Sequence, residues 1–200
     1  ETLEEIKSDL KTLERAVYSG SIEVSKSNSE NLDIELDGLD LNFLSPLGKD
    51  AIKNIGGSIT GNVNLWGPLN QLKHNGLLTL ESAQISIPFL NVDYQAATTQ
   101  VKLSNQEFFF MSTTLFEQAE NTSALLEGAF SHVNFRDWSL DLNIDSDRML
   151  LLNTPQEPES LFFGQGFLDG NLNITGPTKN LKISLQGATE EGTSIKIPWA

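Results

Sequence analysis

Apolar and polar residues alternate along most of the chain, which is the pattern of β-strands with one apolar and one polar face. The alternating apolar positions are Ile22 and Val24; Leu32, Ile34 and Leu36; Leu39, Leu41 and Phe43; Val63 and Leu65; Ile85 and Ile87; Leu140, Leu142 and Ile144; Leu172 and Ile174; and Leu181, Ile183 and Leu185. Gly, Asn, Asp and Pro separate these runs at short intervals, as hairpin turns require. The pattern therefore predicts an all-β fold that is mostly antiparallel sheet.

The first twenty residues follow a helical period instead. Apolar residues recur there every three or four positions, with charged residues between them: Leu3, Ile6, Leu10, Leu13 and Val17. This spacing predicts an amphipathic helix over residues 1–20, followed by one β domain over residues 21–200. We expect its apolar stripe to pack on the rest of the domain. A second, short helix is expected around Pro46 to Ile55.

An internal repeat links two distant parts of the chain. Residues 57–68 (GSITGNVNLWGP) resemble residues 166–177 (GFLDGNLNITGP) at a constant offset, since 166 − 57 and 176 − 67 both give 109. Leu72-Lys73 and Leu181-Lys182 keep this offset. Two copies imply that one hairpin design is used twice in an elongated sheet.

A sheet with one apolar face has to cover that face. Two sheets can pack face to face as a sandwich, or one long sheet can curl into a trough with its apolar face inward. The periodicity alone does not separate these two folds.

The charge balance excludes some classes of ligand. Net charge is -14, and the chain has no cluster of Lys and Arg of the kind that nucleic-acid binding needs. Acidity also opposes docking onto anionic lipid headgroups, so any lipid contact would use acyl chains. Cysteine is absent, which excludes disulfides and thiolate metal sites. Without an initiating Met or a membrane-spanning run, we expect the chain to be a piece of a longer protein that carries its anchor elsewhere.

Two carboxylate patterns imitate known sites but lack what those sites need. The run from Asp33 to Gly38 resembles the start of a calcium-binding loop, whose twelfth position should be Glu but is Leu44 here. Asp141 and Asp145 alternate with apolar residues, so they are expected on the solvent face of a strand. Neither pattern predicts a metal ion or a catalytic carboxylate pair.

The two histidines, His74 and His132, lie far apart in the sequence beside turn-like polar residues. A zinc site needs three or more clustered ligands, and the chain has no Gly-x-Ser-x-Gly nucleophile elbow. We therefore predict no metal, no cofactor and no catalytic residue, and we expect the protein not to be an enzyme.

The order of motifs in the chain resembles one known family. Residues 138–145 (WSLDLNID), 150–154 (LLLNT), 162–166 (FFGQG), 170–177 (GNLNITGP), 188–193 (ATEEGT) and Ile197-Pro198 follow one another as in the C-terminal domain of TamB, the inner-membrane-anchored component of the translocation and assembly module. Residues 54–61 (NIGGSITG), 76–88 (GLLTLESAQISIP) and 91–94 (NVDY) resemble its upstream hairpins. The resemblance covers about residues 30–200. Among family members, the motifs are most similar to those from the Bacteroidota.

This resemblance implies a periplasmic protein with a distant N-terminal membrane anchor, folded as a curled sheet (β-taco, a U-shaped trough) with an apolar inner face. It also implies an outer-membrane barrel partner of the Omp85 type, and roles in moving phospholipids to the outer membrane and in assembling some outer-membrane proteins. The family has no known catalytic residues.

The expected function is a bridge whose trough holds phospholipid acyl chains. The residues expected to line it are Leu32, Ile34, Leu36, Leu39, Leu41, Val63, Leu65, Ile85, Ile87, Leu140, Leu142, Ile144, Leu172, Ile174, Leu181, Ile183 and Leu185. Two other functions stay open: an interaction module that assists assembly of outer-membrane β-barrel proteins, and a structural spacer. Because a cut sheet has unpaired edges, we also expect self-association through edge strands, or a helix over residues 3–17 that folds over the trough.

Overall fold

The fold is a single β-sheet in the computed structural model, which describes residues 19–26, 31–45, 52–157 and 161–198. Its strands are β1 (Ser21–Lys26), β2 (Asn31–Asp40), β3 (Lys53–Trp66), β4 (Lys73–Ile87), β5 (Val92–Asn105), β6 (Glu107–Glu117), β7 (Thr122–Val133), β8 (Arg136–Thr154), β9 (Phe163–Pro177), β10 (Lys182–Thr189) and β11 (Ser194–Lys196). Short 3-10 helices cover Leu41–Leu44 and Leu69–Gln71.

From β1 to β10, every strand pairs antiparallel with its neighbour in sequence. The order runs without a crossover from β1 to β10, and β11 pairs with β9 on the same side as β10. Among the described strands, β1 and β10 are the two ends of this order, so the sheet is open. The prediction of one long antiparallel sheet is therefore confirmed, and the sandwich does not form.

The two predicted helices have different outcomes. The helix over residues 1–20 falls almost wholly on residues 1–18, which lie outside the described residues; Ser19 and Gly20 form a bend. The helix around Pro46 to Ile55 is wrong at its C-terminal end, because β3 begins at Lys53 and pairs there with Ser86. Backbone pairing with β4 overrides the local helical pattern of this segment.

The strand predicted over Leu39, Leu41 and Phe43 is correct only at Leu39. The chain leaves the sheet after Asp40, whose side chain accepts a hydrogen bond of 2.8 Å from the backbone N–H of Asn42. This side-chain cap favours the 3-10 turn that follows over further strand. Leu41 is still buried against the sheet.

One row of cross-strand partners passes through all ten strands of the main order. In chain order it contains Ile22, Leu36, Gly61, Leu78, Val101, Phe110, Gly128, Leu142, Ile174 and Ile183. Directly paired residues point to the same face of a sheet. This central row holds only apolar side chains and glycine, and it marks one face of the sheet, the inner face.

Irregular register bends the strands beside the central row. Register shifts occur between Leu36 and Leu39, between Phe110 and Thr113, and between Ser146 and Met149. All three lie on the same side of the central row. An extra residue in one strand bends that strand and increases its twist, so a line of such shifts curls the sheet.

Contacts between strands that are not neighbours show which face is concave. On the inner face, Nε2 of His74 in β4 lies 2.8 Å from Nε2 of His132 in β7. The hydroxyl of Tyr94 in β5 donates a hydrogen bond of 2.9 Å to the carbonyl oxygen of Leu150 in β8. In a flat sheet, strands three places apart are separated by about 14 Å. The sheet is therefore curled into a trough with the inner face inside.

Two apolar clusters stabilise the curl. The first is formed by β1–β6 and consists of Ile22, Leu32, Ile34, Leu39, Leu41, Ile59, Leu65, Leu78, Val101 and Leu103. The second joins β5 to β7, β8 and β9 and consists of Val92, Tyr94, Ala124, Met149, Leu150 and Phe167. The protein thus buries its apolar side chains within the curl of one sheet.

The internal repeat has the same structure in both copies. Gly61 pairs with Leu78 in the β3–β4 hairpin, and Gly170 pairs with Gly187 in the β9–β10 hairpin, which keeps the offset of 109 residues in both strands. The backbone angle φ is 143° at Gly61 and 142° at Gly170. The prediction of one hairpin design used twice is confirmed.

Gly61 gives a test of how tightly the strands approach in the trough. A Cβ atom at Gly61 would lie 2.2 Å from the carbonyl oxygen of Leu77, whereas one at Gly38 would meet nothing within 4 Å. Both glycines have positive φ, so Gly38→Ala measures backbone strain alone, about 1 kcal/mol. We expect Gly61→Ala to cost about 3 kcal/mol, because strain and collision add. Urea unfolding of the two variants checks this, and equal costs would contradict it.

The inner face as a candidate functional site

The predicted lining residues come together on the inner face or in the clusters that cover it. Fifteen of the seventeen lie in strands; of the other two, Leu41 lies in the 3-10 helix and Leu181 lies just before β10. Ile85 and Ile87 pack against the second cluster with Ile144. The sequence pattern thus identified residues that share one surface.

Exposure of this surface changes along the sheet. Leu32 in β2 is 2% exposed and Leu142 in β8 is 9% exposed. Beyond β8, Ile174 is half-buried, and Ile183 and Leu185 in β10 are 65% and 55% exposed. The inner face is therefore filled by its own side chains at the β1 end and open to solvent at the β10 end.

Sequence reasoning missed the middle of the inner face. Leu78, Val101 and Leu103 are buried there, and Phe108 and Phe110 pack against them. Val101 and Leu103 do alternate with polar residues and could have been found. In β6 three consecutive phenylalanines hide the alternation, since Phe109 points to the outer face.

The outer face carries ladders of amides, and four large apolar side chains are also exposed on it: Leu77, Phe109, Phe116 and Leu125. Asn64 donates a hydrogen bond to the carboxylate of Asp33, and Asn171 donates to the side-chain oxygen of Asn143. Asp141 and Asp145 are exposed on this face, as the alternation predicted. The inner face is therefore the more apolar of the two, whereas the outer face combines amides and carboxylates with exposed apolar side chains.

The two histidines form an unexpected buried pair at one margin of the trough. His74 is fully buried and His132 nearly so. The rings of Phe108, Phe135 and Trp138 surround them, with centroid distances of 4.6 Å from His74 to Phe108 and 4.3 Å from His132 to Phe135. Their separation in sequence, 58 residues, gave no sign of this contact.

Backbone geometry assigns the protons of this pair. The backbone N–H of Phe135 donates to Nδ1 of His132 at 3.0 Å, so the proton of neutral His132 sits on Nε2. That N–H donates to Nε2 of His74, which leaves the proton of His74 on Nδ1. Nδ1 of His74 is buried without a hydrogen-bond partner. If Nε2 of His74 were protonated, it would be a hydrogen-bond donor facing the Nε2–H donor of His132. The hydrogen bond between the two rings would then be lost.

The environment keeps both rings neutral. Burial, with a smaller contribution from the neighbouring His132, lowers the pKa of His74 to about 4. Burial also lowers the pKa of His132. The pair therefore acts as a neutral structural contact between β4 and β7 at pH 7.

The second polar contact across the trough, from Tyr94 to Leu150, lies near the β6–β7 turn, where Glu117 is held in place. The carboxylate of Glu117 accepts hydrogen bonds from the backbone N–H groups of Ala119 and Glu120, at 2.6 and 3.0 Å. Burial raises the pKa of Tyr94 above its usual range, and the negative charge of Glu117 adds to this. Tyr94 therefore stays protonated and keeps its bond to Leu150.

The described part of the chain has neither a cluster of metal-binding side chains nor a membrane-spanning helix. No group of three or more His, Asp or Glu side chains is placed to hold a metal ion there. None of the described helices has the length and apolar character needed to cross a membrane. The continuous apolar surface is thus the main candidate site in these residues.

Acid should weaken the fold through the histidine pair. The unfolded pKa of histidine is about 6.5, and the folded value is lower. The stabilising contribution is therefore complete above about pH 6.5 and is lost as the pH falls toward the folded pKa. We expect the free energy of unfolding, measured in urea, to fall less between pH 7 and pH 4.5 in the double variant His74→Phe, His132→Phe than in the parent. An equal fall in both proteins would contradict this assignment.

One comparison with known proteins identifies the C-terminal part of the chain. Residues 111–200 match the family model described as the TamB C-terminal domain. Comparisons with curated proteins and with solved structures give no significant match. The matched segment contains β7–β11, including the open end of the inner face, while the resemblance upstream of residue 111 stays a prediction. Residues 111–200 are therefore similar to the TamB C-terminal domain family.

Proposed function

We propose that the inner face carries phospholipid acyl chains between the two membranes of the cell envelope. The observation that supports this is the central row, which crosses ten strands without a charged or polar side chain. The match over residues 111–200 supports a TamB-like role in the envelope. In this role, we infer, the chain is a non-enzymatic part of a longer protein. It lies in the periplasm, and the longer protein is anchored in the inner membrane.

The energetic reason for such a surface is the cost of exposing acyl chains to water. Each exposed methylene costs about 0.8 kcal/mol, so a two-chain phospholipid leaves a bilayer at a cost on the order of 20–25 kcal/mol. A continuous apolar surface removes most of this cost while the headgroup stays in water. No side chain has to recognise the headgroup.

The length and uniformity of the central row suit movement as well as binding. Adjacent strands are about 4.8 Å apart, so ten strands give a path on the order of 43 Å. Every position along this path is an aliphatic residue, an aromatic residue or a glycine. Since no polar position interrupts the row, an acyl chain would meet neither a charged barrier nor a deep binding site.

We infer that lipid first contacts the β9–β10 end of the inner face. Ile183 and Leu185 are accessible there, whereas Leu32 and Ile34 are covered by other side chains. An acyl chain that moved toward β1 would have to displace those side chains. The net charge of -14 keeps the outer face hydrated and repels anionic headgroups from it.

A second candidate function is assembly of outer-membrane β-barrel proteins with an Omp85-type partner. The observation that favours it is the edge strand β10, in which all eight residues are exposed. An unpaired edge offers backbone donors and acceptors to a strand of another chain. This function needs the edge of the sheet, whereas lipid carriage needs its inner face.

Photocrosslinking at two neighbouring residues separates the faces. Leu185 and Gln186 are both exposed, but they point to the inner and the outer face. We expect a photoreactive residue at position 185 to give phospholipid adducts in cells that carry the whole system, and one at position 186 to give none. Mass analysis of the purified adducts reads out the difference.

The alternative results are equally informative. Protein adducts at both positions without lipid would favour the assembly function. Lipid adducts of equal yield at both positions would mean contact with a membrane surface, and would contradict carriage on the inner face. Because the two residues are adjacent and similarly accessible, reagent access does not explain a difference between them.

A further inference from the structure

One margin of the trough is closed by a contact between two connections of the chain. The side-chain amide of Asn134, in the β7–β8 turn, donates a hydrogen bond of 2.5 Å to the carbonyl oxygen of Asn70, and its oxygen accepts one of 3.2 Å from the backbone N–H of Leu72. Beside these bonds, His74 meets His132. We call these contacts, which join the β3–β4 connection and the start of β4 to the β7–β8 turn, the clasp.

The hydrogen bonds of the clasp fit neutral histidines. Nδ1 of His132 accepts from the backbone N–H of Phe135, and Nε2 of His74 accepts from Nε2–H of His132. These two nitrogens are the ones that an added proton can join, and either protonation turns an acceptor into a donor. Nδ1 of His74 is buried without a partner and gives no new bond in exchange. Each proton taken up therefore breaks one bond of the clasp.

The turn that carries the clasp is strained while the clasp is closed. Asn134 and Phe135 have φ angles of 52° and 57°, in the left-handed region. Asn adopts this region readily, whereas a bulky side chain such as Phe does so rarely. Phe135 is held there by the bond from its backbone N–H to His132 and by stacking of the two rings, whose centroids are 4.3 Å apart. Loss of the contact with His132 would release this strain, which favours opening.

The charged side chains nearest the pair in the described residues point away from the two rings. The elements packed around the rings contribute uncharged side chains: Leu65 of β3, Asn105 of β5, Phe108 of β6, Phe135 of the turn and Trp138 of β8. Lys73 and Glu107 lie beside this site but point to the outer face, and Lys26 begins the same cross-strand row in β1, where it is exposed. Arg136 and Asp137 of the turn are also exposed. None of these groups is a carboxylate placed to stabilise a protonated ring.

We propose that the clasp is pH-sensitive and that acid opens this margin of the trough while the sheet stays paired. A proton on His74 breaks the bond between β4 and β7, and a proton on His132 breaks the bond that holds the strained turn. Opening uncovers the apolar rings behind the clasp, Phe108 and Trp138. It gives a lateral route to a part of the inner face that is filled by its own side chains. The inference concerns access through this margin and does not depend on what the inner face carries.

The size of the effect follows from the difference between a buried and an exposed histidine. Burial lowers the pKa of His74 to about 4 in the closed state, whereas an exposed histidine titrates at about 6.5. The open state therefore binds the proton more readily, and opening is favoured as the pH falls from about 6.5 toward 4. From His74 alone, the ratio of open to closed protein should rise on the order of 20-fold between pH 7 and pH 5.

Amide hydrogen exchange followed by NMR measures this opening in the 200-residue protein, even where the open state is rare. The backbone N–H groups of Leu72 and Phe135 are bonded within the clasp, and that of Asn153 is bonded to the carbonyl oxygen of Leu90 at the opposite margin. Dividing the intrinsic exchange rate at each pH by the measured rate gives protection factors. Between pH 7 and pH 5 we expect those of Leu72 and Phe135 to fall on the order of 20-fold, and that of Asn153 to change less than about twofold.

Variants separate the histidines from the other bonds of the clasp. In the double variant His74→Phe, His132→Phe, the protection factor of Leu72 should change less than about twofold between the two pH values. His74→Phe alone is the milder change, and it should reduce the fall at Leu72 at least threefold. Asn134→Ala removes bonds that do not titrate, so it should lower the protection factor of Phe135 at both pH values and keep the fold-change between them.

Three results would overturn the proposal. An equal fall at Asn153 would mean that acid loosens the whole sheet and not this margin. A fall at Leu72 that persists in the variant without histidines would assign the effect to another group. Unchanged protection at Leu72 and Phe135 would mean that the clasp stays closed in acid. Lipid adducts at position 185 are measured separately, so the outcome of the lipid proposal leaves this test unaffected.

Discussion

The whole structure depends on antiparallel pairing that keeps apolar residues in register from strand to strand. A slip of one residue in any pair would turn every side chain of that strand to the opposite face. In β8, for example, such a slip would put Asp141 or Asn143 into the central row and Leu142 on the outer face. Glycine at Gly61 and Gly128 keeps the row continuous where the backbone of the next strand comes too close for a Cβ.

Curling solves the burial problem of a single sheet. A flat sheet of this length would leave its apolar face in water, whereas bends beside the central row bring that face round on itself. Polar contacts support the curl at both margins, among them the neutral pair of His74 and His132 at one margin and the hydrogen bond from Tyr94 to Leu150 at the other. Both join strands three places apart. Both also depend on groups that stay uncharged at pH 7.

Much of this fold could be predicted from the period of apolar residues along the sequence, and the rest depends on long-range contacts. Strict alternation at Leu140, Leu142 and Ile144 correctly predicted a strand with one solvent-exposed polar face and one apolar face. Alternation did not give the choice between trough and sandwich, because both bury one face of each strand. Alternation also missed the histidine pair. His74 and His132 come into contact only because the curl of the sheet brings β4 and β7 to face each other, with β5 and β6 between them. The 3-10 turn at Leu41 was missed because the apolar pattern continues past Asp40, whereas the hydrogen bond from the backbone N–H of Asn42 to the Asp40 carboxylate favours the turn.

The connectivity from β1 to β10 has a consequence for how such a chain forms and changes. Each strand pairs with the one synthesised just before it, so nearly all pairing is local in sequence and folding can proceed along the chain in order of synthesis. Stability is then close to a sum of nearest-neighbour terms, as in repeat proteins. Hairpins can therefore be inserted or lost at one point while the register elsewhere is kept. The two copies that lie 109 residues apart have the form that duplication within such an array would leave.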